Sequence, residues 1–509
     1  MLLIFPPIAK ACEPPAGIAR LAGALQANNI PCRLWDANLE GQLWLLEQPP
    51  TADDTWTQRA WRSRHKHLQG LREAAAYTNP GRYATAVNDL NRLLTMAGAA
   101  TDTVPGLADY RHVERSALRS SDLLWAAEHP RQNPFFPLFQ ERLPQLLAGV
   151  SSVGLSLNYL SQALTTFSLI GLLRQRYPQL KILLGGGLVT SWLARPDWRN
   201  PFSGLVDQLI AGPGEGPLLE LLGTTQPINN GLPAYDQLPL SDYLSPGLIL
   251  PYSAAGGCWW NRCSFCPERA EGSRYQPLPS RQALSELQGL VARHRPRLLH
   301  LLDNAISPAL LRLLAQSPPG VPWYGFARFD EQLTDLAFCR ALRESGCVML
   351  KLGLESGDQA VLARLGKGIQ LGVAGRVLEN LKAVGIGVYC YLLFGTPAED
   401  EAAARRTLAF TAQHADQIGF LNLAIFNMPA FGDEAADYTT EPFYEGDLQL
   451  YTSFRHPVGW ERGMVRRFLS QKFVRHPAIS PIVRRDPPLF TSNHAPLFAE
   501  VRPAHPARQ

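Results

Sequence analysis

Three of the eight cysteines fall within nine positions of one another: Cys258, Cys263 and Cys266 in AAGGCWWNRCSFCPERAEG (254–272), directly after a glycine pair. Thiolates are soft ligands that select zinc, copper(I) or iron–sulfur clusters, so three at this spacing read as a metal site. A structural zinc asks for four protein ligands, and no second CxxC pair or Cys/His pair lies nearby; the next histidine is His294. A [4Fe–4S] cluster ordinarily takes four thiolates, so three leave one iron open to an outside ligand. The other cysteines (Cys12, Cys32, Cys339, Cys347, Cys390) are scattered, with no secreted disulfide framework, and Cys339, Cys347 and Cys390 read as small core residues. Cys390, between Tyr389 and Tyr391, is the one with a case for facing a substrate.

The cysteines must be positioned by the elements around them. From 250 to 426 strands and helices alternate six times, the strands being LPYSAAGG, RLLHLLD, PWYGFAR, VMLKLGLE, GVYCYLLFG and GFLNLAIFN. Six parallel strands with crossover helices predict a partial (β/α)6 barrel, short of the eight needed for closure, with its chemistry at the strand C-terminal ends. The cysteines follow the first of these strands.

Upstream, LLIF (2–5), PAGIARLAGALQANNI (15–30) and PCRLWDAN (31–38) open a β-α-β unit. Residues 46–145 read as a helical insertion, and the α/β rhythm resumes at SVGLSLNY (152–159), ALTTFSLIGLLRQRYP (163–178), KILLGGG (181–187) and VDQLIAGPGEGPLLELL (206–222). A strand ending in three glycines lets a backbone approach a ligand closely, and an open parallel sheet binds at the carboxyl ends of its strands. The predicted organisation is α/β: a Rossmann-like domain over 1–224 carrying the 46–145 insertion, a Pro/Gly/Asn-rich linker over 225–249, the partial barrel over 250–426 and a mixed extension over 427–509.

The C-x4-C-x2-C spacing at the end of a first barrel strand, with aromatic Phe265 before the last cysteine, resembles the radical S-adenosylmethionine enzymes. The commonest spacing there is C-x3-C-x2-C, and CWWNRC resembles the longer variant of the branch with an N-terminal cobalamin-binding domain. The resemblance implies a [4Fe–4S] cluster on Cys258, Cys263 and Cys266 whose open iron chelates S-adenosylmethionine, cleaved reductively to methionine and a 5′-deoxyadenosyl radical. It implies roles toward that ligand for Phe265, for Asp303 and Asn304 after the second strand, and for Arg328 after the third. Glu355 and Lys367 match around the fourth strand, and Gly395 heads a turn, with Thr396, Pro397 and Glu399, similar to the family's Gly-x-Pro-x-Glu.

PPIAK, DAN, GLSLNYLSQ, LLGGG and DQLIAGPGEG are similar to that branch's cobalamin-binding domain, so the likeness covers most of the chain outside 46–145. The Asp-x-His-x-x-Gly motif that gives cobalt a histidine elsewhere is absent; DANLEG (36–41) has Asn38 in the histidine position. Cobalamin contacts are then implied at Ser156, Gly185, Gly186, Gly187, Gly214 and Glu215, glycines that serve equally well as strand ends of an empty Rossmann-like domain. His494 in TSNHAPLF resembles a tail motif of the branch and receives no role.

The implied function is a cobalamin-dependent radical enzyme that methylates an unactivated centre of a small-molecule or peptide substrate, with an external electron donor of flavodoxin or ferredoxin type. No catalytic residue for the substrate step is identified. The rivals are radical chemistry of another type with the N-terminal domain as a substrate or partner platform, and a non-catalytic iron–sulfur or zinc protein. With 48 basic and 44 acidic residues and no long like-charge run, nucleic acid and anionic membranes are not expected as partners. MLLIFPPIAK lacks a basic leader and no apolar run is long enough to span a bilayer, so a cytoplasmic location is expected.

Overall fold

The computed structural model describes residues 1–50, 53–223, 230–443 and 445–499. The chain divides into two units, Met1–Leu248 with 445–450, and Ile249–Phe443 with 451–499.

Unit 1 is built on a five-stranded, wholly parallel sheet: β1 (Leu2–Phe5), β2 (Arg33–Asp36), β5 (Ser152–Ser156), β6 (Lys181–Gly185) and β7 (Gln208–Ile210), in the order β2-β1-β5-β6-β7. LLIF is buried at every position, as a strand covered on both faces must be. The order reverses between β1 and β5, which opens a crevice at their carboxyl ends. Helices α1 (Ala16–Ala27), α2 (Ala37–Leu46), α8 (Leu160–Arg176), α9 (Gly187–Leu193) and α10 (Glu215–Leu221) connect and flank the strands.

The insertion is helical, as expected, in α3 (Thr55–Leu71), α4 (Ala74–Tyr77), α5 (Pro80–Ala97), α6 (Ser120–Glu128) and α7 (Phe136–Leu146). It also holds an antiparallel pair, β3 (Thr103–Pro105) with β4 (Tyr110–His112), which corrects the all-helical expectation; three-residue strands carry no readable period. Helix α6 lies against α8 where Gly171 leaves no room for a side chain: a Cβ there would run into the Ala127 backbone.

The linker reading is also corrected. Residues 225–229 of the expected 225–249 stretch lie outside the described residues, but 230–248 is packed chain. Tyr235 and Tyr243 are fully buried, the Ala234 N–H donates to Ala19 O at 2.8 Å, and the Tyr243 hydroxyl donates to Asp36 Oδ2 at 2.7 Å. Part of the expected C-terminal extension belongs to unit 1 as well: Ser120 N–H donates to Asp447 Oδ1 and Leu448 N–H to Leu118 O.

Unit 2 carries six parallel strands, β8 (Ile249–Tyr252), β11 (Leu298–Leu301), β12 (Trp323–Ala327), β13 (Cys347–Glu355), β14 (Gly387–Phe394) and β15 (Phe420–Ile425), paired in sequence order. The intervening helices are α11 (Pro267–Ala270), α12 (Ser280–His294), α13 (Pro308–Gln316), α14 (Leu336–Glu344), α15 (Gln359–Arg364), α16 (Leu371–Ala383) and α17 (Glu401–Gln413). Several begin on a side-chain cap that satisfies an orphan N–H: Ser307, Asp335, Asp358 and Asp400 accept from the first turns of α13, α14, α15 and α17. A two-stranded pair, β9 (Ala255–Gly256) with β10 (Gln276–Pro277), closes the base of the cysteine loop. Helices α18 (Arg462–Phe468), α19 (Ser480–Val483) and α20 (Thr491–Ala499) follow the sheet. Among the described residues no helix is long and apolar enough to cross a membrane.

Gly171→Ala forces α6 and α8 apart. Overpacking of this kind costs roughly 1–3 kcal/mol or more, and denaturant unfolding of the full chain is expected to show a loss of at least that order.

Candidate active site at the cysteine loop

The cysteine loop is seated on a turn more than a hundred residues away. Trp260 Nε1–H donates to Gly366 O at 2.9 Å and the Ser264 N–H to Leu365 O at 3.0 Å. Gly366 and Gly368 both have positive φ, +62° and +65°. A Cβ at Gly366 would stand 2.6 Å from Arg262 O, and one at Gly368 would enter the Trp260 indole. Glycine is required twice over there, by the backbone conformation and by the close approach. Phe265 packs on Val361, Leu365 and Ala403, which fixes the loop between its last two cysteines.

Around the thiols the structure gathers cations and aromatic rings. The Arg328 guanidinium lies 4.2 Å from the Trp260 ring centroid, donates to Lys367 O and is hydrogen-bonded to the Cys263 thiol. Lys367 Nζ lies 5.5 Å from the Phe265 ring and forms an ion pair with Glu355 Oε1 at 2.7 Å. Burial pushes the Cys263 thiol up, while the positive charges of Lys367 and Arg328 pull it down. Cys266 is likewise raised by burial and opposed by the backbone N–H groups of Arg269 and Glu268. The indole N–H of Trp259, next to Cys258, is buried with no acceptor. A buried thiol, Cys263, facing two cations and a half-buried one, Cys266, facing backbone N–H groups form a donor set suited to an anionic, sulfur-ligated cluster.

Among the described residues no three His, Cys, Asp or Glu side chains form a group that would hold a single metal ion.

The other expected residues divide. Glu355 has φ +67°, a strained value for a non-glycine residue, and its ion pair occupies the space beside Gly353, where a Cβ would stand 2.5 Å from Glu355 Oε1 and 2.9 Å from Lys367 Nζ. Arg328, Glu355, Lys367 and Phe265 are therefore brought together with the cysteines. Asp303 is buried, accepts the Ala254 N–H at 3.1 Å, and is pushed up to about 6 by burial, so it fastens the chain entering the cysteine loop. Asn304 is exposed. Gly395, φ +75°, donates its N–H to Glu399 Oε2 at 2.5 Å; Trp460 Nε1–H donates to the same oxygen at 3.0 Å. Burial raises Glu399 to about 7, and its other oxygen and the Thr396 hydroxyl are buried without partners. Cys390 is fully buried, as expected of a core cysteine.

Sequence reasoning missed Trp259, Trp260, Gly366 and Gly368. The available signal was the paired tryptophans inside CWWNRC and the two glycines of LGKG, which only the fold brings together.

In unit 1, Ser156 Oγ accepts from Asn158 Nδ2 at 3.0 Å, and Gly186, φ +112°, has no room for a Cβ beside Leu157 O. Gly185 ends β6, Gly187 begins α9, and Gly214 caps α10. Glu215 is ion-paired with Arg20 at 3.4 Å. Asn38 Oδ1 accepts from Ala9 N–H at 2.7 Å and from Gln42 Nε2 at 2.8 Å in a buried site, so it holds the loop after β1. Tyr159 and Leu160, at the head of α8, are 56% and 40% exposed.

No family model matches the chain. An uncharacterized methyltransferase of Pyrococcus horikoshii is 24% identical over 192 residues, which are 35% of this chain and 40% of that relative. Among solved structures, the cobalamin-dependent S-adenosylmethionine radical enzyme OxsB with aqua-cobalamin bound aligns at TM-score 0.43 and 17% identity, over 55% of this chain and 46% of that one. Coproporphyrinogen III oxidase (HemN) from Escherichia coli, a radical SAM enzyme, aligns at 0.30 and 16% over 43% and 52%. The chain spans less than half the length of the methyltransferase and of OxsB.

Two outcomes test the site. Gly368→Ala displaces Trp260 and is expected to cost roughly 1–3 kcal/mol, read by thermal unfolding, with a changed tryptophan emission spectrum. For Glu399, burial favours the protonated form, so its contribution is complete below about pH 4.5 and is lost as pH rises through about 7. The shift corresponds to about 3 kcal/mol. Wild-type stability should therefore fall between pH 5 and pH 8 relative to Glu399→Gln, in parallel denaturant titrations across that range.

Proposed function

We propose that the chain is a radical S-adenosylmethionine enzyme, with a [4Fe–4S] cluster held by Cys258, Cys263 and Cys266 and S-adenosylmethionine bound at the open iron. In this reading unit 2 is a partial (β/α)6 barrel and unit 1 a Rossmann-like cobalamin domain, and the reaction is methyl transfer to an unactivated carbon or phosphorus centre. The observation that carries it is the cysteine loop itself: three thiols on one glycine-clamped loop, flanked by Arg328 and Lys367. Bound there, the cluster supplies the electron that splits S-adenosylmethionine into methionine and a 5′-deoxyadenosyl radical.

The chain's own residues bind and orient. Arg328 and Lys367 offset the negative charge of the thiolates and offer donors to the carboxylate of S-adenosylmethionine. Glu355 offers an acceptor to its amino or ribose groups, and Gly353 keeps the space beside that ion pair free of a side chain. Phe265 closes the cysteine loop against the core and limits water near the thiols.

The cobalamin assignment is supported by the switch point between β1 and β5, by the glycines at 185–187, and by Tyr159 and Leu160, which present apolar surface at the carboxyl edge of the sheet. Asn38 is occupied by Ala9 and Gln42, so cobalt takes no ligand from that position. Cobalamin would supply the methyl group. Glu215, expected to meet the cofactor, is already paired with Arg20, and this favours keeping a second reading in which unit 1 is a substrate or partner platform. The substrate is a small molecule or peptide, and the electron comes from a flavodoxin- or ferredoxin-type donor.

Anaerobic reconstitution should give a brown protein with about four irons per chain and a reduced-cluster EPR spectrum that changes on adding S-adenosylmethionine. Replacing Cys258, Cys263 or Cys266 by Ala should remove the cluster and abolish 5′-deoxyadenosine formation. Stoichiometric zinc, or no 5′-deoxyadenosine from the reduced wild type, overturns the reading. Cobalamin in the purified chain, with S-adenosylhomocysteine formed beside 5′-deoxyadenosine, separates methyl transfer from the second reading.

A further inference from the structure

Strand pleating sends alternate side chains to one face of a sheet. Along β14, Val388, Cys390 and Leu392 are buried, whereas Tyr391 and Leu393 keep part of their surface open. Their register partners on β15, Asn422 and Ala424, are also half-buried, and so is Phe326 on β12. The rings form a continuous wall: Phe326 to Tyr391 at 5.1 Å, Tyr391 to Tyr389 at 5.2 Å, and Tyr389 to Phe420 at 5.6 Å between centroids. Arg328 lies two residues beyond Phe326, on the same alternation, and reaches the cysteines. Tyr391 feels the charge of Glu355 as well. The aromatic wall thus extends from the cysteine side into the body of the sheet.

The tail meets this wall. The hydroxyl of Tyr391 is hydrogen-bonded to Ser492, and that of Tyr324 donates to Asn493 O at 3.4 Å. Burial raises both Tyr389 and Tyr391, and the charge of Asp486, brought in between α19 and α20, adds to it. Asp486 is half-buried; its Oδ1 has no hydrogen-bond partner among the described residues, and burial raises the carboxyl to about 7. A carboxyl oxygen held in the interior without a donor is costly, and a cation on the open side of the group offsets that cost. Aromatic faces beside a carboxylate favour a cation. The same wall already accommodates one: Lys351 Nζ lies 4.8 Å from the Tyr324 ring and 5.0 Å from that of Phe326, with His300 Nε2 at 3.1 Å.

We infer that this face is a substrate subsite for an alkylammonium group carried on an apolar or aromatic body, with Asp486 taking the ammonium and Phe326 and Tyr391 the body. The inference deepens the function proposed above, resting on it for the identity of the occupant as substrate; the binding chemistry needs no cofactor.

The test uses the full chain and three probes of one shape: phenethylammonium, 3-phenylpropionate and 2-phenylethanol, titrated by calorimetry with saturation-transfer NMR. A charge-assisted hydrogen bond is worth about 1.5–3 kcal/mol, so the ammonium should bind at least about tenfold more tightly than either rival. Asp486→Asn should remove that preference, with its unfolding temperature measured alongside. No ammonium binding, equal or tighter binding of the carboxylate or alcohol, or an unchanged preference in Asp486→Asn overturns the subsite; the first two need no variant. Wild-type 5′-deoxyadenosine formation separates the two claims. Ammonium selectivity without cleavage overturns the radical-enzyme reading alone, and cleavage without selectivity overturns the subsite alone.

Discussion

The interlock between the cysteine loop and the 365–368 turn is the constraint from which the rest of the site follows. A loop carrying three soft ligands has little apolar surface of its own, and its backbone groups need partners. Here the Ser264 backbone N–H and the Trp260 indole N–H both find carbonyls of one turn, Leu365 and Gly366, and the contact is close because Gly366 and Gly368 have no side chains to hold the loop off. The same turn carries Lys367 between its glycines, so the geometry that seats the loop also delivers the ammonium to the thiols and to Glu355. Arg328, from a different strand, donates to the carbonyl of that residue. Position and charge are thus set by one short segment.

The electrostatics have a consistent logic. Burying thiols and carboxylates raises their proton affinity, and the site answers differently at different distances from the loop. Cys263 is opposed by two cations, and Cys266 by backbone N–H groups. Glu355 is paired directly with Lys367. Asp303 and Glu399, at the ends of other strands, receive N–H donors, and burial raises the first to about 6 and the second to about 7. Those two act as fasteners for Ala254 and Gly395, so the turns at the ends of the first and fifth strands are held by buried carboxyls while the ionised groups gather at the thiols.

The sheets were legible in the sequence because parallel strands buried on both faces appear as apolar runs separated by helical text. All six strands of unit 2 and the five of unit 1 lie where those runs fall. Legibility ended where short elements or long-range packing decide. TVP and YRH pair across an insertion too briefly to show a period. The Pro/Gly/Asn text after 229 looks like a linker, yet Tyr235 and Tyr243 bury themselves against unit 1, and Gly23 on α1 makes room for the carbonyl of Leu232. Asp303 and Asn304 matched by position, but spacing does not say which way a carboxylate turns, and Asp303 turns to the backbone. Trp260 and Gly366 are 106 residues apart in sequence, so neither announces the other.

The tail shows the same limit most clearly. Residues 480–499 have mixed composition and no periodic signal, and His494 stood out only by likeness; in the structure it is buried and lies 4.7 Å from the ring of Phe490, as a packed core histidine does. Around that core the tail presents Asp486, Ser492 and Asn493 to three tyrosines on two different strands. In the proposed reading the strand ends offer groups to a ligand that carries an amino acid and a ribose, and the tail offers the groups that would distinguish one substrate from another. Generic chemistry on the sheet and selectivity on a late, irregular segment is the arrangement expected when one scaffold serves many reactions, because the segment can change without disturbing the glycine-clamped loop.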